Sequence, residues 1–273
     1  MNPKKAESLQ VLVATMNNNG ESLLQSLNIQ SDVIIGNQCT QINPQDYHYQ
    51  NEYKSHKVTW LNFKEKGVGL NRNNALMRST ADILLFADDD MTYVDNYPHI
   101  VLDLFNSHPK ADLIVFNLIE DTPKRYQIKK MEYTKKVGFG CARIACRRES
   151  IIKHGVFFNL CFGGGAIYSN GEDSLFIADC LRKGLKLLCV PISIAKLNND
   201  RPSTWYKGET DKLYYDRGSL FAAFRLRYTY IRLMYKFICA VFHGRNELRK
   251  WRLFFNGFLE FRRDNKLNIY KGD

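Results

Sequence analysis

No C-x-x-C pair occurs in the 273 residues, and the seven cysteines (Cys39, Cys141, Cys146, Cys161, Cys180, Cys189 and Cys239) fall at no zinc-ligand spacing. An odd, scattered set argues against a disulfide framework or a structural zinc site and fits a reducing compartment. Long hydrophobic runs are also missing. The most apolar stretch, residues 228–242, is interrupted by Arg232 and Lys236, and it falls short of the roughly 20 residues a spanning helix needs. No transmembrane helix is expected. Residues 1–10 are polar and hold no secretory apolar core, so a cytoplasmic location is expected. Internal repeats and low-complexity tracts are absent, which leaves a globular domain.

What is there is a hydrophobic fraction of 45%, enough for a sizeable core. Basic residues outnumber acidic ones by 39 to 28, and 12 basic against 4 acidic residues lie within 218–273, so most of the positive excess sits there. Tyr228, Tyr230, Ile231, Tyr235, Phe237, Ile238, Val241 and Phe242 interleave these charges as on interfacial helices. An anionic membrane surface, the inner face of the plasma membrane, is therefore the expected partner of the C-terminal helices. Packing of the apolar stripe on the domain is the alternative. Nucleic acid is not expected.

Apolar runs rich in β-branched residues alternate with segments of helical period, the pattern of an α/β domain with a mainly parallel, Rossmann-like sheet. Strands are predicted near residues 9–14, 32–36, 57–61, 83–87 and 112–117, and helices near 20–27, 69–79 and 97–107. Farther on, 138–145 reads as a strand, 148–154 as a short helix, 172–183 as a helix closed by Gly184, and 186–191 as a strand. Phe162-Gly163-Gly164-Gly165-Ala166 and the polar run 198–203 read as substrate loops. From Asp211 the pattern is helical, broken into two pieces at His243-Gly244. The expected division is a catalytic domain over 1–199 and a basic, aromatic-rich helical region over 200–273.

Ile83-Leu84-Leu85-Phe86-Ala87 is a buried-strand pattern, and Asp88-Asp89-Asp90 follow at its C-terminal end, where open α/β sheets hold ligands. Three adjacent carboxylates repel one another, and a divalent cation relieves that repulsion. Hard oxygen ligands favour Mn2+ or Mg2+, normally completed by substrate phosphates and water. Residues i and i+2 of an extended segment point the same way, so Asp88 and Asp90 are the expected metal ligands. A solvated capping turn is the alternative.

Leu84 to Asp90 looks like the acidic D-x-D motif of the family 2 glycosyltransferases, of the GT-A fold. Val11-Leu12-Val13-Ala14-Thr15-Met16-Asn17 resembles the family's opening strand, and Gly67-Val68-Gly69-Leu70-Asn71-Arg72-Asn73 its G-x-x-x-x-R-N segment. The resemblance spans roughly residues 9–191 and is to the bacterial surface-polysaccharide type. It implies a GT-A fold, here followed by a helical extension, and a nucleotide-sugar donor, with a glycan or lipid-linked saccharide as acceptor. Thr15, Asn17, Gly67, Arg72, Asn73, Asp88 and Asp89 would bind the donor, since a glycine-relieved helix start beside an arginine suits a diphosphate. The metal would act as a Lewis acid for the leaving diphosphate. Glu172-Asp173 is similar to the family's E-D pair, which implies Asp173 as the base that deprotonates the acceptor. The alternative is two acids favoured by a helix dipole. Gly163, Gly164 and Gly165 resemble the acceptor loop, with Glu172 beside it; Trp205 is expected to stack on an acceptor sugar ring, with a packed loop anchor as the alternative.

The chain departs from the family at three places. Asn37 and Gln38 stand where many members have a carboxylate that contacts the base; amides can still bond a uracil edge, so a UDP-sugar is expected. No histidine stands at 194–197, and Lys196 or Arg201 is expected to touch the diphosphate instead. The Q-x-x-R-W signature of processive synthases is missing, which implies transfer of a single sugar, with inversion. Two other readings stay open. Asp88-Asp89-Asp90-Met91-Thr92 also satisfies the D-x-D-x-T opening of haloacid-dehalogenase-like phosphatases, with Asp88 as nucleophile. A catalytically silent nucleotide- or glycan-binding protein would keep the same residues.

Overall fold

The computed structural model describes residues 5–18, 20–41, 48–119, 127–198, 208–225 and 229–266. Their strands are β1 (Leu9–Met16), β2 (Asp32–Gln38), β3 (His48–Tyr53), β4 (His56–Phe63), β5 (Ile83–Asp88), β6 (Met91–Tyr93), β7 (Leu113–Ile119), β8 (Glu132–Thr134), β9 (Ile144–Arg147) and β10 (Leu187–Leu197). They form one sheet in the order β3-β4-β2-β1-β5-β9-β7-β10-β6, with β8 also on β10. Strands β4, β2, β1 and β5 run parallel, as do β7 and β10. β9 is antiparallel to both of its neighbours.

Continuous apolar runs are what a strand covered on both faces requires, because successive side chains point to opposite sides. In β1, Val11 and Val13 join one core layer while Leu12 joins the other; in β5, Leu85 and Ala87 part from Leu84 and Phe86 in the same way. The first layer is closed by α1 (Glu21–Ser26) and α3 (Tyr97–Ser107), through Leu23, Leu24, Val101 and Phe105. The second is closed by α2 (Val68–Arg78), α4 (Arg148–Lys153) and α5 (Glu172–Arg182), through Ala75, Leu76, Ile151, Phe176 and Ile177. The mainly parallel α/β architecture read from the sequence is the observed one.

Three details differ. The strand expected at 138–145 starts later, because Cys141–Arg143 forms a 3-10 turn before β9. β3, β6 and β8 are not anticipated: β3 is an exposed, polar edge strand, and β6 and β8 are three residues long. The C-terminal helical region holds three helices rather than two: α6 (Asp211–Ala223), α7 (Thr229–Phe242) and α8 (Arg245–Lys266). Gly244, at φ 94°, breaks α7 from α8 as expected. No helix among the described residues is long and apolar enough to cross a membrane.

Helices α6 and α8 touch backbone to backbone. A Cβ on Gly218 would lie 1.8 Å from the Phe254 carbonyl, and one on Gly257 would lie 2.1 Å from that of Tyr215. Phe261 of α8 then meets Phe162 and Tyr168 at ring distances of 5.5 and 5.6 Å, which seats the helices on the glycine loop of the sheet domain.

Candidate active site

Parallel pairing in register, with Ala14 opposite Asp88, brings the C-terminal ends of β1 and β5 side by side. Thr15 and Asn18, at the end of β1, both donate to Asp89 Oδ2. Asp89 is thereby tied to β1. The side chain of Asp88 is 40% exposed, and Asp90 is exposed, its carbonyl accepting the Asn198 amide at 2.7 Å. Among the described residues, no group of three or more His, Cys, Asp or Glu side chains is gathered as a metal-ligand set.

Arg72 is the hub of the site. It projects from α2, is 4% exposed, and lies with its guanidinium 5.5 Å from the Phe158 ring, which stacks on Phe176 at 4.3 Å. Nη2 donates to Asp88 at 2.8 Å, while Nη1 donates to Glu172 at 3.0 Å and Asp173 at 2.8 Å. Planar, fixed donors let one side chain engage three carboxylates from two elements. Its Nε is buried without a partner.

Asp173 sits in the first turn of α5, whose dipole favours an acid there. Its Oδ2 accepts the backbone N–H of Cys141, from the 3-10 turn, at 3.1 Å. Burial pushes the Asp173 carboxyl well above the usual range; Arg72 opposes this, and the neighbouring Glu172 and Asp88 add to it. One guanidinium among three carboxylates leaves net negative charge, so the upward direction follows from the geometry. The Cys141 thiol is also held well above its ordinary value, by burial first, with Arg72 pulling the other way.

Several residues expected at the donor are engaged within the protein. Asn37 donates to the Asn18 carbonyl at 2.6 Å and to Asn62 at 2.8 Å, and accepts the Asn18 amide at 3.1 Å. Gln38 Oε1 accepts the Gly67 amide at 2.8 Å, and the Gly164 carbonyl takes that of Val68 at 2.9 Å. The start of α2 therefore already has two of its N–H groups partnered. Asn73 exchanges two hydrogen bonds with the Phe158 backbone, at 2.9 and 2.8 Å. Exposed Asn17 takes up the left-handed region, at φ 50°, and accepts from the Thr40 amide.

The glycine loop lies on this same end of α2. Gly163, at φ 102°, approaches so closely that a Cβ would fall 2.7 Å from Glu172 and from Val68. On Gly165 a Cβ would stand 3.0 Å from the Gly67 nitrogen. Lys196 is exposed on β10, whereas Arg201 and Trp205 lie outside the described residues.

Four contributors escaped the sequence reading. The Cys141 amide is a backbone group and leaves no side-chain signal, and nothing in the sequence separates the Phe158 ring from an ordinary core aromatic. Buried Asn71 donates to the Gly36 carbonyl at 2.7 Å, and a Cβ on Gly36 would sit 1.8 Å from its Oδ1. Gly36→Ala is expected to destabilise the fold by about 1–3 kcal/mol, measured as a lower urea midpoint, because Asn71 has nowhere to move. Asp216, 1% exposed on α6, accepts from Ser169 N and Oγ at 2.9 and 2.7 Å and so ties α6 to the glycine loop. Nothing in the spacing of positions 169 and 216 announces that bond.

The model of the family described as "Glycosyl transferase family 2" matches residues 9–160. The crystal structure of S. aureus TarS 1–349 in complex with UDP-GlcNAc has a similar fold: TM-score 0.63 at 12% identity, covering 93% of this chain and 81% of that one. The same protein in complex with UDP gives a TM-score of 0.55 at 12% identity, over 80% of this chain and 65% of that one. No curated protein sequence matches the chain.

Proposed function

Because the chain belongs to glycosyl transferase family 2, we propose that it transfers a single sugar, with inversion, from a UDP-sugar to a glycan or lipid-linked saccharide of the surface-polysaccharide kind, met at the inner face of the plasma membrane. The observation that carries this reading is the Arg72 hub, which draws Asp88 at the end of β5 toward Glu172 and Asp173 at the head of α5. A donor-side carboxylate and a proton acceptor thereby share one cation.

In this reading an acceptor hydroxyl attacks the anomeric carbon, its proton passes to an Asp173 oxygen, and the bond from that carbon to the diphosphate breaks with its electrons leaving on UDP. Arg72 and the Cys141 amide hold Asp173 in one orientation for that task. Glu172, 8% exposed and pressed on Gly163, ties the acceptor loop to the same cluster. Thr15, Asn17 and Asp89 define the β1 side of the donor site. Asn37, Gln38, Gly67 and Asn73 act one step removed, by shaping the turns that a nucleotide would meet.

The chemistry of the donor set fits a hard divalent cation: Asp88 and Asp90 are carboxylates that reach solvent at one strand end. Mn2+ or Mg2+ is commonly bound by one or two carboxylates and completed by substrate phosphates, so these two would hold it. When bound, the ion supplies charge neutralisation to the departing diphosphate. Family membership displaces the phosphatase reading of Asp88, since the matched residues 9–160 contain it.

The test is release of UDP from a panel of UDP-sugars, with Mn2+, with Mg2+ and with a chelator. Metal-dependent release that rises with a saccharide acceptor is the expected result. Binding of UDP without turnover under every condition would leave a silent binding protein instead.

A further inference from the structure

Helix α7 rests on the remainder of the C-terminal helices through Leu233, Phe237 and Ala240, three and four residues apart, with Phe237 4.7 Å from the ring of Trp251. The opposite side is as apolar as the packed one. Ile231, Met234, Tyr235, Ile238, Val241 and Phe242 are 46–83% exposed. At 100° per residue they fall within an arc of about 120° that contains no charged side chain. Exposed Arg232 flanks the arc on one side. On the other a groove of about 480 Å³ opens between α7 and α8, with Met234, Phe255 and Leu259 in its lining and Arg262 and Arg263 among its walls.

We propose that this arc of α7 is a membrane-docking face that lies in the interface of a bilayer rich in anionic lipid. Charge decides between occupants. Residues 229–266 carry nine Lys and Arg against three Asp and Glu, and α7 itself carries no acid. A second copy of the chain would bring two such basic surfaces together by symmetry, whereas anionic headgroups neutralise them. At fourteen residues α7 is too short to span a bilayer and long enough to lie along one. Through α6 the same helices hold Ser169, three residues past the glycine loop, so docking links the membrane-bound helices to that loop. The proposal rests on the membrane-face reading above and deepens it by assigning the contact to one face of one helix.

Sedimentation of the full chain with phosphatidylcholine vesicles, with and without phosphatidylglycerol, tests this without donor, metal or acceptor. The chain is expected to pellet with the anionic vesicles and to be released by salt. Ile231→Ser combined with Ile238→Ser should weaken binding about tenfold or more, from the apolar surface withdrawn. Arg232→Gln combined with Arg252→Gln, Arg252 being exposed on α8 two turns before Leu259 and on the same face, should weaken it about fivefold per cation on anionic vesicles alone. All four side chains are exposed, so each pair of substitutions should leave the thermal unfolding midpoint and UDP release in solution unchanged. Equal binding to neutral vesicles, binding unaffected by the serine pair, or a solution dimer that the serine pair dissolves would overturn the proposal. Failure to pellet alongside intact UDP release would sink the docking face and leave the transferase; the reverse result would do the opposite.

Discussion

Asp173→Asn is expected to slow sugar transfer by about 10²–10⁴-fold, the range for loss of a general base, while leaving the affinity for UDP, read from the thermal shift it produces, unchanged. The amide keeps the shape of the side chain and an oxygen that can still accept from Cys141 N or Arg72, so the loss should fall on turnover. A matching loss of UDP affinity would instead make Asp173 a donor-binding residue. Its raised carboxyl sets the pH dependence. The base works ionised, so activity should climb with pH along an acid limb lying above the ordinary carboxylate range of about 3.9–4.3, and the limb should flatten in the variant. Stability runs the other way. The folded state holds this proton more tightly than the unfolded chain, so that contribution is complete below the unfolded value and is lost as pH rises through the folded one.

Arg72→Met carries the second large effect. Removing the guanidinium leaves Asp88, Glu172 and Asp173 gathered without the cation that all three share, and breaking a buried charge cluster in this way costs about 3–5 kcal/mol. Urea unfolding at neutral pH should show that loss, and the deficit should shrink in acid as the orphaned carboxylates protonate. Adding Glu172→Gln should recover part of it by removing one of the repelling charges. Arg72→Lys keeps the charge but not the planar fork, so it cannot reach two elements at once and should fall between. An Arg72→Met protein as stable as the parent would mean that the three acids are held by backbone geometry alone.

The sheet was legible in the sequence because its central strands are buried on both faces, and that condition demands uninterrupted apolar runs such as Ile83 to Ala87. The edge escaped for the opposite physical reason: β3 buries one side chain of six and so carries no pattern to read. The 3-10 turn before β9 escapes because its apolar Cys141 and Ala142 run on into those of the strand without a break in pattern. In the candidate site, acids, arginine and glycines were legible as residue types, but what each side chain holds was not. Arg72 was expected on phosphate or base, and its guanidinium is found among three carboxylates from distant parts of the chain. Asn37 and Asn73 show the same lesson: an amide near a ligand site and an amide that fixes a turn have one signature in sequence.

The bond from Asp216 to Ser169 makes the tail and the glycine loop a single heritable unit. Exchanging C-terminal helices between members of such a lineage would take from buried Asp216 both of its Ser169 donors and leave it only Lys212 of its own helix. A functional chimera should therefore carry the segment from Phe162 to Gly171 along with its helices, and a change at position 216 should be felt at Ser169.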